Sequence, residues 1–152
     1  MQFRMTLIET MEITQATKAD IDGILAIQSQ IYRIDTLPKN AAEILSDLIE
    51  SDNCTVIVAK ENGTVLSSAL LFYLLIPAHG KPYALLEGMV VDKNIRGKGV
   101  GTALMKKIIA VAGEKGCYKI NFTSGKDRAD THKFYENLGF KKWGLEFRMD
   151  LK

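Results

Sequence analysis

The chain has 152 residues, 47% of them hydrophobic and 25% charged, which is one domain's length with ordinary globular composition and excludes a disordered or low-complexity protein. Cys54 and Cys117 stand far apart without a CxxC partner, which excludes a disulfide framework or cysteine zinc site and points to reduced thiols in the cytoplasm, buried as small residues in strands. The formal net charge is only +2, but residues 1–92 carry six Lys/Arg against twelve Asp/Glu (net −6) and residues 93–128 nine against two (net +7). That asymmetry predicts an anionic ligand at the basic segment and hints at a cationic one opposite. No nucleic-acid motif or aromatic interleaving accompanies the basic residues, so nucleic acid is not the expected partner.

Residues 1–10 read as an N-terminal extension and residues 11–152 as the domain, with Met5 and Met11 as further possible starts. The extension carries Arg4 and Glu9 and no long apolar run, unlike a signal peptide. The apolar stretch 69–78 is too short to span a membrane and is broken by Pro77. A strand is expected at residues 12–17. Thr17 and Asp20 then form a capping box for a first helix, with Ile21, Ile24, Leu25, Ile31 and Tyr32 at helical spacing. Asn40 and Glu43 cap a second helix whose apolar face is Ile44, Leu45, Leu48 and Ile49.

Residues 55–59 read as a strand, and Asn62-Gly63 as a hairpin turn into a long strand at 64–76. A loop at 77–81 leads to a strand at 82–91. Residues 99–115 form a helix with Leu104, Ile108, Val111 and Ala112 inward, ended by Gly116. A strand follows at 118–123 and a helix at 127–138. Gly139 stops that helix and Phe140 anchors it. The alternation in 145–151 predicts a strand that closes the sheet. The order implies an α/β layered domain with a mixed sheet.

The chemistry-bearing segment is Arg96-Gly97-Lys98-Gly99-Val100-Gly101-Thr102, between an apolar strand and a helix. Glycines let a backbone approach a ligand closely, and the N–H groups opening a helix converge on phosphate oxygens. Arg96 and Lys98 supply charge-assisted partners. The spacing fits neither a Walker A loop nor the dinucleotide fingerprint, whose third glycine position is Leu104 here.

The same segment resembles the acetyl-CoA pyrophosphate loop of the GNAT family of N-acetyltransferases: Arg or Gln, two residues, Gly, one residue, Gly or Ala. Met89-Val90-Val91-Asp92 looks like that family's central strand. The run from Arg128 to Phe140, with Phe134-Tyr135, three residues and Gly139-Phe140, resembles its second diagnostic segment. The resemblance implies a single-domain GNAT-like fold: a mixed sheet of about six to seven strands with four helices, and two central parallel strands splayed to admit the cofactor. It implies acetyl transfer from acetyl-CoA, as acetyl donor, to a primary amine of a small molecule or peptide. Backbone groups of Met89, Val90 and Val91 would hold the acetyl and pantetheine portion, and Arg96 to Thr102 the pyrophosphate.

Acetyl transfer to an amine needs a neutral nucleophile, a polarised carbonyl and a stabilised or protonated thiolate. Glu87 interrupts the apolar run 83–91 and is the expected general base, its pKa raised if it is buried without a partner. Tyr135 aligns with the family tyrosine that serves as general acid, with Phe134 expected to face the core. Arg128 stands where many relatives have Asn, Thr131 where many have Ala. The Arg-x-x-x-His-x-Phe-Tyr arrangement resembles a small-amine subgroup that includes aminoalkylphosphonate acetyltransferases. Arg128 would then contact cofactor phosphate or an anionic substrate group. His132 reads as a helix-surface residue and His79 as solvated; neither makes a metal site.

In the family the acceptor site is built from the first two helices, the loop after the third strand and the final hairpin, here near 32–38, 76–82 and 142–144, with Tyr32 and Trp143 as candidate lining. Relatives are commonly homodimers. A non-catalytic acetyl-CoA-binding sensor or interaction module is the alternative reading, against which Glu87 and Tyr135 both argue.

Overall fold

A computed structural model describes residues 6–31 and 34–152. The chain divides into two compact units, Met1–Asn121 and Phe122–Lys152. The first holds one five-stranded sheet: β1 (Glu12–Gln15), β2 (Cys54–Glu61), β3 (Thr64–Ile76), β4 (Lys81–Val91) and β5 (Ile120–Asn121). The strands lie in sequence order, antiparallel from β1 to β4 and parallel between β4 and β5. Helices α1 (Leu7–Thr10), α2 (Ile21–Gln28), α3 (Ala41–Glu50) and α4 (Val100–Glu114) complete this unit. The second unit contains α5 (Ala129–Asn137). The α/β class and mixed sheet follow the sequence reading, with five strands and five α-helices among the described residues in place of six to seven and four.

Local signals account for most boundaries. The Asn62-Gly63 turn puts both residues at positive φ, 49° and 79°, the geometry that suits the right-handed twist of a two-residue hairpin. The Asp20 carboxylate accepts from the Thr17 amide at 2.8 Å and lies 2.9 Å from the Lys60 ammonium. Burial acts to raise its pKa, but the Thr17 amide and Lys60 outweigh it and hold the carboxyl below its ordinary value. Asn40 occupies the N-cap position of α3 without a side-chain bond to the helix.

On one face of the sheet, Val56, Val58, Val65 and Val90 pack with Ile24 and Ile27 of α2 and Leu45 of α3. The opposite strand positions, including Ile57, Leu71, Ala84 and Leu86, are also buried. They alternate with the first set as the pleat requires, and α4 packs on β2, β3 and β4. This second face meets Val100, Leu104, Met105, Ile108 and Ala112, the buried stripe of α4.

Two expectations are corrected. The strand at 118–123 contracts to Ile120–Asn121, because its parallel ladder with β4 holds only the pairs Ala84–Ile120 and Leu85–Asn121. Residues 145–151 form no strand. Their alternation is present, yet Leu145, Phe147, Met149 and Leu151 are all more than four-fifths exposed: alternation selects a face, but a strand also needs a neighbour to complete its hydrogen bonds. Cys54 is buried at the start of β2 and burial pushes its thiol up to about 11. Cys117 is half-buried, between α4 and β5 instead of within a strand. Both thiols are free.

Candidate active site

The site is built around β4 and the turn that follows it. β4 carries a bulge: Leu70 faces Glu87, but Ser68 faces Val90, so Gly88 and Met89 together oppose Ala69. Gly88 has φ +57°, a conformation open mainly to glycine, and such a bulge re-aims a strand locally. Its carbonyl accepts from Gln28 Nε2 at 3.1 Å. The Val90 carbonyl accepts from the buried Ser67 hydroxyl at 2.9 Å. Beyond Leu85 the β5-facing side of β4, Leu86 to Val91, has no ladder partner in the sheet.

Glu87 is exposed, so the buried, desolvated carboxylate expected at this position is not what the fold provides. Opposed residues in an antiparallel pair share a face. Glu87 therefore projects from the face that carries Leu70, the one covered by α2 and α3.

After β4, Asp92 Oδ1 accepts from the Asn94 amide at 2.9 Å and closes a short 3-10 turn, Lys93–Ile95. Arg96 Nε donates to the Val91 carbonyl at 3.1 Å, tying the loop to the strand end. Gly99, at φ +86°, is the N-cap of α4. The first turn of a helix leaves N–H groups without intrahelical acceptors and carries the positive end of the dipole; here those groups come from Val100, Gly101 and Thr102. Arg96, Gly97 and Lys98 are exposed beside them. Two cations, an αL glycine and the N-terminus of a fifteen-residue helix suit an anionic ligand such as a phosphate.

Tyr135 and Arg128 belong to the second unit. The Tyr135 ring centroid lies 4.4 Å from that of Phe122 and 5.3 Å from that of Phe134; Phe140 also packs on Phe122, at 5.0 Å. Tyr135 is thus part of the aromatic cluster, where Phe134 alone was expected. Burial raises its phenol pKa despite the opposing charge of Arg128. His132 Nε2 is 2.9 Å from the Gly125 carbonyl and so secures the turn before α5. His79 is exposed, as expected, with its ring centroid 4.4 Å from that of Tyr118. No cluster of three or more metal-ligating side chains occurs among the described residues.

The family model for the acetyltransferase (GNAT) family matches residues 21–140. The chain belongs to the GNAT acetyltransferase family. A curated relative, the glucosamine 6-phosphate N-acetyltransferase of Trypanosoma brucei brucei, is 28% identical over 97% of this chain and 100% of its own length. A putative acetyltransferase from Agrobacterium tumefaciens superposes with a TM-score of 0.84 at 25% identity, covering 92% of this chain and 99% of that one. An aminoglycoside acetyltransferase from a soil metagenomic sample, crystallised with sisomicin, gives 0.84 at 18% identity over 96% and 99% of the two chains; at that identity only the fold is shared. The protein is therefore a GNAT-type acetyltransferase enzyme.

Within the first unit, this GNAT fold gathers Glu87, Met89, Val90, Val91 and Arg96 through Thr102 on one strand–turn–helix. Sequence reasoning missed Gln28 and Ser67, whose side chains satisfy the carbonyls of Gly88 and Val90. A signal existed for one: Ser67-Ser68 interrupts an apolar strand, and a serine buried there must find a partner. Trp143 is 92% exposed and does not line a site within its own unit. Tyr32 lies outside the described residues.

Proposed function

We propose that this enzyme transfers an acetyl group from acetyl-CoA to a primary amine by direct attack, with Glu87 as general base and Tyr135 as general acid. The observation that carries this reading is the junction of β4 and α4: a strand whose β5 side lacks ladder partners, followed by Gly99 in the αL conformation beneath Arg96 and Lys98. Val100, Gly101 and Thr102 offer N–H groups to the pyrophosphate, flanked by Arg96, Gly97, Lys98 and Gly99. Met89, Val90 and Val91 offer backbone groups to the pantetheine arm, and Arg128 a charge to phosphate. When bound, acetyl-CoA supplies an activated acetyl thioester. Glu87, directly or through water, takes the proton the amine loses as the N–C bond forms. Tyr135 gives its proton to sulfur as the C–S bond breaks; its raised pKa keeps the phenol protonated through the neutral range. The two free thiols support a reducing, cytoplasmic compartment.

A homodimer is supported by the C-terminal stripe. Trp143, Leu145, Phe147, Met149 and Leu151 are exposed with strict period two, a patch that monomers rarely carry. Antiparallel pairing with a second copy, centred on Phe147, sets Trp143 against Leu151 and Leu145 against Met149. It also sets Glu146 opposite Arg148 twice. A register centred on Arg148 would oppose two arginines and set Glu146 against Asp150. The ion-pairing register is self-complementary, as a two-fold interface must be.

Thiol release from acetyl-CoA, measured against alkylamines, aminoalkylphosphonates, polyamines, aminoglycosides, amino acids and short peptides, tests the enzymatic reading. Turnover with one class, reduced about 100-fold or more in Glu87→Gln, is expected. Equal turnover by the variant would sink Glu87 as base, and absence of acetyl-CoA binding would sink the reading of the glycine loop.

A further inference from the structure

A cavity of about 190 Å³ opens between α2, α3 and β3. Leu25 and Gln28 come from α2, Leu45 and Leu48 from α3, Leu70 from β3, and Leu37 from the segment before α3. Gln28 is the one polar side chain among the described residues that line it, and its amide donates to the Gly88 carbonyl of β4. None of the described residues that line it is charged.

The cavity adjoins the chemistry. Leu70 is the direct cross-strand partner of Glu87, on the same face of the sheet. A Cβ placed on Gly88 would stand 3.4 Å from Gln28 Nε2 and 3.6 Å from Leu70 Cδ1. The inner wall of the cavity therefore touches β4 one residue after the proposed base. Leu25, Leu48 and Leu70 are only partly buried, and Ile44 stands exposed at the rim. These side chains are available to a ligand in a way the fully buried Ile24 is not.

We propose that this cavity receives the body of the acceptor, and that the acceptor is an apolar primary amine, with an alkyl or arylalkyl group in the cavity and its nitrogen at Glu87. The proposal rests on the acetyl-transfer reading and adds the substrate class. A sugar phosphate or aminoalkylphosphonate would bring a dianion against leucines with no cation among the described lining residues. A polyamine or aminoglycoside would bring further ammonium groups with no carboxylate to meet them. Either would lose hydration without compensation. An alkyl chain loses nothing polar and gains burial in proportion to its area.

The test is a homologous series of n-alkylamines, propylamine to octylamine, with phenethylamine, glucosamine 6-phosphate and spermidine. Each is assayed by thiol release and, separately, by the methyl chemical shifts of Leu25, Leu45 and Leu70 in protein without acetyl-CoA. The expected result is a rise in kcat/KM of roughly three- to fourfold per methylene until the cavity is full. In Ala41→Phe, at the cavity wall, octylamine should lose at least about tenfold while propylamine changes little. A flat series, or glucosamine 6-phosphate or spermidine outpacing every alkylamine, overturns the apolar acceptor and leaves the acetyltransferase intact. Octylamine shifting the leucine methyls with no thiol release for any amine would uphold the cavity as an apolar-amine site and remove the catalytic reading. Neither shifts nor turnover overturns both.

Discussion

Two stretches of this protein carry comparably clear apolar patterns and meet opposite fates. From Leu85 to Ala112 the pattern is consumed: Leu86 and Val90 of β4, then Val100, Leu104, Met105, Ile108 and Ala112 of α4, are buried. From Trp143 to Leu151 the alternation is stricter, yet its apolar side chains face water. A pattern specifies which side of an element is apolar, not what will cover it. In the first stretch the cover lies within the same unit. In the second the described residues of the unit supply none.

The largest effect should come from a residue in the consumed stretch that is itself exposed. Glu87→Gln removes a proton acceptor and little packing, so kcat should fall about 100-fold or more while the melting temperature stays within a degree or two. A parallel loss of stability would make Glu87 a structural residue. Gly99→Val comes next. Its Cβ would meet nothing closer than Ile8 Cδ1, at 3.6 Å, so the strain is in the backbone: holding valine at φ +86° costs about 1–2 kcal/mol. Either the helix start shifts or the fold bears the strain, and acetyl-CoA affinity should weaken roughly tenfold. Calorimetric titration measures it; unchanged affinity would mean the N–H cradle is not the phosphate site.

Asp20 lies outside both stretches but is likewise covered within its own unit. It is buried, and it joins the Thr17 cap to Lys60 of β2. Asp20→Asn should cost about 2 kcal/mol, the scale of a buried charge-assisted hydrogen bond. Because the folded-state pKa lies below the unfolded value, the native carboxylate contributes its full stability above the unfolded pKa. That contribution is lost as pH falls through the folded pKa. The difference between wild type and variant in urea midpoint should therefore be widest at neutral pH and narrow toward pH 3. A constant difference would show that the carboxylate's charge is not its source of stability.

What could be read in advance divides along the same line. The turn at Asn62-Gly63, the Thr17–Asp20 box and the loop from Arg96 to Thr102 are local: backbone strain, a cap and a helix dipole act within a few residues, so their signatures are contiguous in the sequence. The strand count was not legible, because β5 ends where its ladder with β4 ends and residues 145–151 lack a ladder altogether. The exposure of Glu87 was equally hidden. Seven of its neighbours from Tyr83 to Val91 are apolar, yet on the face that α2 and α3 cover Glu87 is still exposed, and how far that cover reaches is set by elements distant in sequence. The support that Gln28 gives to Gly88 spans sixty residues, beyond any motif.

The smallest effect on the folded monomer should come from the unconsumed stripe. Phe147 is 93% exposed, so Phe147→Asp should move monomer stability by no more than about 0.5 kcal/mol. In the self-paired register, however, the two copies bring Phe147 against Phe147, and the variant would face two carboxylates across the two-fold. Sedimentation should then find wild-type dimer and variant monomer. The charged face offers a finer cut: Glu146→Arg opposes two pairs of arginines and should weaken the dimer, while adding Arg148→Glu reverses every pair and restores it. A monomeric wild type would leave the stripe without a second copy. A dimer indifferent to Phe147 would mean that copies meet elsewhere, and a double variant no better than the single one would discard the register centred on Phe147.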